Sequence, residues 1–393
     1  MVYRPRVRSA QPVLGTTVRR VVLHVGTPKS GTTYLQRVLE ANRPVLAEHG
    51  VVVHGRERVD LVHAAMVVRD DPRLERLPAR AATAWERLCG QVRESGARVD
   101  VVSYELFAGA TAEQAARAIE DLQQAVGPDG VVEVVVTGRD LGRALGSAWQ
   151  ERLKFALTAP AEEWTPPGED VVRSEWGWRT LDPSGVAERW SSGLDDARIH
   201  VVTVPRGGAP EELWRRFAAA LGLDDVPVDP GLDRANQTLG PAAAEVLRRV
   251  NEQVGAPLDT NREQALWLRD LLAHEILAGL DPTPFGTSPH LLDLARGQFE
   301  IATARFEGRG YTWHGSLEEL APTAAQGLTP GATSVRDQLD VAVRAVYALL
   351  LRVRDLESAR TSAAREAAAA RSEEHTSELQ SPMYLVCRLL LEK

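Results

Sequence analysis

The chain has 393 residues, 44% of them hydrophobic and 25% charged, and a formal net charge of −8, which allows one sizeable core and a smaller helical annex. The acidic balance argues against a broad nucleic-acid or anionic-membrane surface, since either needs a basic patch, and no run approaches the roughly 18 apolar residues that span a bilayer. The first twenty residues hold basic side chains without an apolar core, so no secretory signal is visible; with only Cys89 and Cys387 no disulfide framework is read, and a reduced, cytoplasmic setting is expected.

After an N-terminal extension, 1–18, strands and helices alternate. Residues 21–25 predict a strand, and 32–48 a helix broken near Pro44 and stopped at Gly50. A short strand at 51–53, a helix at 82–95 closed by Gly96, a strand at 99–104 and an amphipathic helix at 112–126 follow. Residues 131–137 form a near-continuous apolar run, which suits a strand buried on both faces. A Trp- and Pro-rich segment then leads to a fifth strand at 198–204 and a helix at 211–221. The alternation predicts an α/β fold: a three-layer arrangement with a central parallel sheet, plus C-terminal helices.

The α/β domain is placed over 19–258, with its core from about Arg19 to Val228 and a helix over 241–254. A helical extension over 259–321, including a helix at 262–277, and a linker over 322–333 follow. In the amphipathic helix placed at 334–370, Leu339, Val343, Val346, Leu350 and Val353 are spaced four, three, four and three apart. That heptad stripe suits docking on its own domain or pairing with another subunit. Residues 371–393 resemble the translation of a sequencing-library adapter and are read as a non-native tail.

The chemistry concentrates after the first strand, in Gly26-Thr27-Pro28-Lys29-Ser30-Gly31-Thr32-Thr33. Loop amides and a helix N-terminus that converge on one point bind an anion, and a lysine adds a full charge. A nucleotide-triphosphatase loop, G-x-x-x-x-G-K-[ST], carries its lysine after the second glycine and a hydroxyl for magnesium. Here Lys29 precedes Gly31 by two residues, which suits an anion bound without a bridging magnesium. Past the fourth strand, Arg139 stands at the carboxyl end of the sheet, where α/β proteins bind ligands, with Arg143 one turn on and Ser147 beyond it. A guanidinium fork with a hydroxyl suits a terminal phosphate.

These two segments together resemble the sulfotransferases that use 3′-phosphoadenosine 5′-phosphosulfate. The resemblance covers roughly residues 19–250 and implies that the α/β fold is a P-loop-type three-layer fold. It implies that Thr27, Pro28, Lys29, Ser30, Gly31, Thr32 and Thr33 hold the 5′-phosphosulfate, that Lys29 is also catalytic, and that Arg139 and Ser147 hold the 3′-phosphate, with no metal expected. The animal-type R-K-G-x-x-G-D-W-K motif is absent, so adenine contacts need not follow the cytosolic hormone-sulfating enzymes. Asn236-Gln237-Thr238-Leu239-Gly240 is similar to a segment of bacterial members and is placed near the site.

Transfer of a sulfuryl group to a hydroxyl needs a base. His54, His63 and Glu105 are the candidates because all three follow strands at their carboxyl ends; His63 is ranked first and Glu105 second, and His24, inside the first strand, is read as a core or rim histidine. Trp164, Trp176, Trp178 and Trp190 suit an aromatic acceptor wall or ordinary packing. The acceptor is a small molecule, glycan or natural product. A P-loop kinase or nucleotide hydrolase is the alternative enzyme, and it predicts magnesium dependence. A non-catalytic nucleotide-binding or assembly protein built around the C-terminal helix is the alternative of another class.

Overall fold

The computed structural model describes residues 18–172, 175–207, 210–231, 238–255 and 258–391. By internal contacts the chain divides into two units, one of residues 1–153, 157–236 and 284–331, the other of 154–156, 237–283 and 332–393.

The first unit is built on a six-stranded sheet of order β2-β3-β1-β4-β5-β6, with every pairing parallel. The strands are β1 (Arg20–Gly26), β2 (Val51–Val53), β3 (Val99–Ser103), β4 (Val131–Gly138), β5 (Ile199–Thr203) and β6 (Thr312–His314). Both faces are covered, which makes this the three-layer α/β arrangement that alternation implies. On one face α1 (Thr32–Ala41), α2 (Arg43–Glu48) and α10 (Pro210–Leu221) pack on Val22, Val101, Val135 and Val202. On the other, α3 (Arg58–Val68), α5 (Ala84–Ser95), α6 (Ala112–Val126) and α9 (Pro183–Trp190) pack on Val21, Leu23, Val134 and Val201. Burial on both sides explains why these strands read as continuous apolar runs.

Short helices α4 (Ala79–Ala82) and α8 (Trp178–Leu181) lie between longer ones, and α7 (Leu141–Leu153) follows β4. The long helix expected over 32–48 is two helices parted at Asn42, whose side-chain amide donates to the carbonyls of Val38 (2.9 Å) and Asp229 (2.8 Å). Pro44 falls in the first turn of α2, where its missing N–H costs nothing.

The sixth strand and the long helix α13 (Pro289–Phe306) come from 284–331, a stretch the sequence reads as helical extension and linker. Phe306 joins the same core as β1. The three-residue β6 is too short to show a period, and it enters the sheet only by pairing with β5, His200 opposite Thr312.

The second unit holds α11 (Pro241–Asn251), α12 (Asn261–Glu263), a π-helix (Gln264–Leu277) and α14 (Val335–Leu391). The helix expected over 262–277 is thus mostly π, its bonds running to the fifth residue back, as from Ala278 N–H to Ala273. α14 does not stop near 370 but continues to Leu391. It docks on α11 and the π-helix through the side on which Gln338, Val341 and Ala345 are buried, while the heptad stripe faces solvent. Among the described residues no helix is long and apolar enough to cross a membrane.

At the end of β1 the chain turns at Gly26, φ 90°, where the register against β4 also shifts. A Cβ there would lie 2.9 Å from Glu105 Cβ and 3.0 Å from its Cα. Gly26→Ala combines left-handed strain with that backbone collision. It is expected to lower unfolding free energy by about 2–4 kcal/mol; an unchanged denaturant midpoint would contradict this packing.

Candidate functional site

The strand order reverses at β1, with β2 and β3 to one side and β4 to β6 to the other. The loops after β1 and β4 therefore open at the switch point, the usual binding crevice of such sheets. This is where the sequence motifs fall.

The loop after β1 is stitched to the end of β4. Thr27 donates through its N–H (2.7 Å) and its hydroxyl (3.0 Å) to the carbonyl of Thr137. Ser30 Oγ donates to the Thr27 carbonyl and meets Thr137 Oγ1, both at 2.5 Å. The Thr27 and Ser30 side chains are thus buried and spent on loop shape, so only their backbone faces a ligand. Thr32 is buried, Thr33 exposed. Gly31, φ 85°, caps α1 with no side-chain hydrogen bond, leaving the leading amides of the helix without an intrahelical partner. At Gly31 a Cβ would stand 2.5 Å from Leu213 Cδ2, so a side chain there would carry the strain of φ and push the Leu213 methyl aside.

Lys29 itself lies at φ 64°, a region a lysine enters only when its surroundings compel it. Two contacts do so. Its carbonyl accepts from Arg139 Nη1 (2.9 Å), and its Nζ pairs with Glu151 Oε1 (2.9 Å). Arg139 is largely enclosed, burial and the neighbouring Arg143 pull its pKa down, and its Nε is buried without a hydrogen-bond partner. A buried guanidinium with an unmet donor beside an anion-type loop is a fitting place for a phosphate. Asp140 offsets the burial and the Arg143 charge only in part. Its carboxylate caps α7 through Arg143 N–H (3.1 Å) and accepts from Thr323 N–H (3.0 Å) and the Thr323 hydroxyl. Arg143 is exposed and Ser147 half-buried on α7.

Of the three base candidates, Glu105 stands against the loop. It begins the turn after β3, its Cβ abuts Gly26, and its carboxylate accepts from Gln36 Nε2 (2.9 Å) and pairs with Arg58 (3.3 Å). His63 lies mid-α3, half-buried, and no contact ties it to the loop. His54 is buried against Asp100 (2.8 Å), which also holds Arg19, a closed structural network. Trp190 and Trp164 are core residues, Trp190 donating to the Phe107 carbonyl (3.2 Å); Trp176 and Trp178 are half-buried. Asn236 and Gln237 lie outside the described residues, while Leu239 is buried and Gly240 caps α11.

Two participants escape the sequence reading. Glu151 is four residues past Ser147, one helical turn along α7, and that spacing was the available signal. His24 lies beneath the loop, its ring bonded to Ser103 Oγ (2.7 Å) and Thr137 Oγ1 (3.2 Å). Since Thr137 also holds Ser30, the imidazole links three strands' ends to the loop. Only its pairing with polar residues on neighbouring strands reveals this, and that requires the register.

Burial holds the His24 pKa at about 3, against an ordinary 6.5. The unfolded chain therefore takes up a proton below pH 6.5 that the folded chain refuses until near pH 3. Stability from this group is complete above pH 6.5 and falls as pH drops, by about 1.4 kcal/mol per unit at most. His24→Gln should lose stability at pH 7.5 yet show a shallower decline between pH 6.5 and 4. Parallel curves for variant and wild type, measured by urea unfolding, would count against the buried neutral imidazole.

No protein-family profile matches the chain, and no curated protein matches it. The chain is similar to a solved structure, the crystal structure of a sulfotransferase from Alicyclobacillus acidocaldarius, at 18% identity and a TM-score of 0.36, over 66% of this chain and 99% of that one. A likeness at that level places no residue of the site. The α/β assignment rests on the six parallel strands themselves.

Proposed function

We propose that the chain is a sulfotransferase that moves a sulfuryl group from 3′-phosphoadenosine 5′-phosphosulfate to a hydroxyl or amine of a small molecule, glycan or natural product. The observation that carries the reading is the convergence of Lys29 and Arg139 at the switch point, where the Arg139 guanidinium keeps a buried Nε without a partner. The residues fit a nucleotide with two separated phosphate groups: the loop and α1 amides with Thr32 and Thr33 for the 5′ end, Arg139 and Ser147 for the 3′ end.

In this reading Lys29 balances the charge that builds on the departing phosphate oxygen. Glu151 tethers the lysine along α7 before the donor arrives. Glu105, carried against the loop at Gly26, takes the proton of the acceptor hydroxyl, and Gln36 and Arg58 orient its two oxygens. Glu105 is favoured over His63 because only Glu105 touches the loop.

Titration calorimetry with 3′-phosphoadenosine 5′-phosphate tests the donor. Binding is expected with or without magnesium, and Lys29→Ala and Arg139→Ala should each weaken it by about 10- to 100-fold, the worth of a charge-assisted hydrogen bond. Failure of folded wild type to bind would overturn the proposal, and binding that requires magnesium would favour a kinase or nucleotide hydrolase. With an acceptor in hand, Glu105→Gln should cut turnover by about 10²- to 10⁴-fold with donor binding retained. His63→Ala should leave turnover within a few-fold; the opposite pattern would transfer the role of base to His63.

A further inference from the structure

Among the described residues nothing covers the heptad stripe of α14. Leu339, Val343, Val346, Leu350 and Val353, with Tyr347 beside them, are each 56 to 63% exposed. In a heptad frame, Val343 and Leu350 are a positions and Leu339, Val346 and Val353 are d positions. Gln338 and Ala345 are then c positions and Val341 an f position, on the side of the helix that the second unit buries. The helix therefore has two apolar faces, and its own unit uses the one opposite the stripe. Six adjoining apolar side chains over half exposed form a patch that water penalises, and such patches mark interaction sites.

The pattern selects the occupant. Antiparallel pairing of two such helices sets a against d, so Val346 faces Leu350 of the second copy and Val343 faces Val353, which centres the dyad near residue 348. That same register brings the e positions together. Asp340 then lies opposite Arg354 of the second copy, twice over by symmetry, and Tyr347 lies across from its own equivalent. Parallel pairing would instead put Asp340 beside Val335 and Arg354 beside Leu349, with no complementary charge. Two stripes of this length bury on the order of 1,000 Å², the threshold of a specific interface.

We infer that α14 pairs antiparallel with α14 of a second copy of the chain, through Val343 to Val353 and paired Asp340–Arg354 contacts. The contact is independent of nucleotide binding.

Sedimentation and light scattering on the full chain, over a concentration series, should find a species of twice the 42.9 kDa chain mass. A monomer at every concentration overturns the inference. Val346→Glu/Leu350→Glu alters only exposed positions and should weaken dimerisation at least tenfold, with the circular dichroism spectrum of wild type retained. A dimer undiminished by it shows that another surface pairs and also overturns the inference. Asp340→Arg should weaken the dimer and Asp340→Arg/Arg354→Asp restore it; failure of restoration rejects the antiparallel register. In a Cys387→Ser background, Tyr347→Cys should form a disulfide-linked dimer on oxidation and Leu339→Cys should not, whereas efficient crosslinking of Leu339→Cys would establish a parallel pair and overturn the inference as stated.

Discussion

The loop between β1 and α1 keeps its shape because Thr137, the penultimate residue of β4, holds it from below. The Thr137 carbonyl takes two hydrogen bonds from Thr27, and its hydroxyl meets both Ser30 and His24. Neutral and buried, His24 carries the same network on to Ser103 of β3. The anion-type loop is thereby clamped to the three central strands. A loop so held can keep Lys29 in a left-handed conformation that a free loop would abandon.

The side chains above the clamp divide into cations and carboxylates. Lys29 and Arg139 bring positive charge to the crevice; Glu151 and Glu105 approach from α7 and from the turn after β3. Asp140 is held by the α7 N-terminus and Thr323, and its charge offsets only part of the cost of burying Arg139. Like charges packed closely are costly unless an opposite charge stands near. An arginine enclosed next to Arg143, with one nitrogen unmet, is the sort of group that an incoming dianion relieves.

Much of this was legible in the sequence because it is local. A buried parallel strand shows as an apolar run, a phosphate-type loop as glycines at fixed spacing, and α6 as an amphipathic stretch. What was hidden depends on distance along the chain. Glu105 gains its place only when Gly26 lets the turn after β3 come close, whereas His63 had the first claim until α3 was seen to carry it without contact to the loop. His24 looks like any histidine in a strand until register sets Ser103 and Thr137 beside it. The α14 stripe was readable as a heptad, but which side of the helix docks depends on α11 and the π-helix.

The strand that closes the sheet arrives late. β5 ends at Thr203 and β6 begins at Thr312, and the second unit's segment 237–283 is interposed between them in the chain. A ribosome extending the chain exposes the outer edge of β5 for roughly ten seconds before its partner emerges. During that interval His200 and Val202 offer unpaired backbone to any passing strand. The stacked pair His200–His314, with ring nitrogens 3.0 Å apart, then marks the moment at which the edge is sealed. Truncations that end before residue 312 would leave a sheet with its switch-point crevice intact in sequence and its edge open in space, a molecule whose first failing is aggregation.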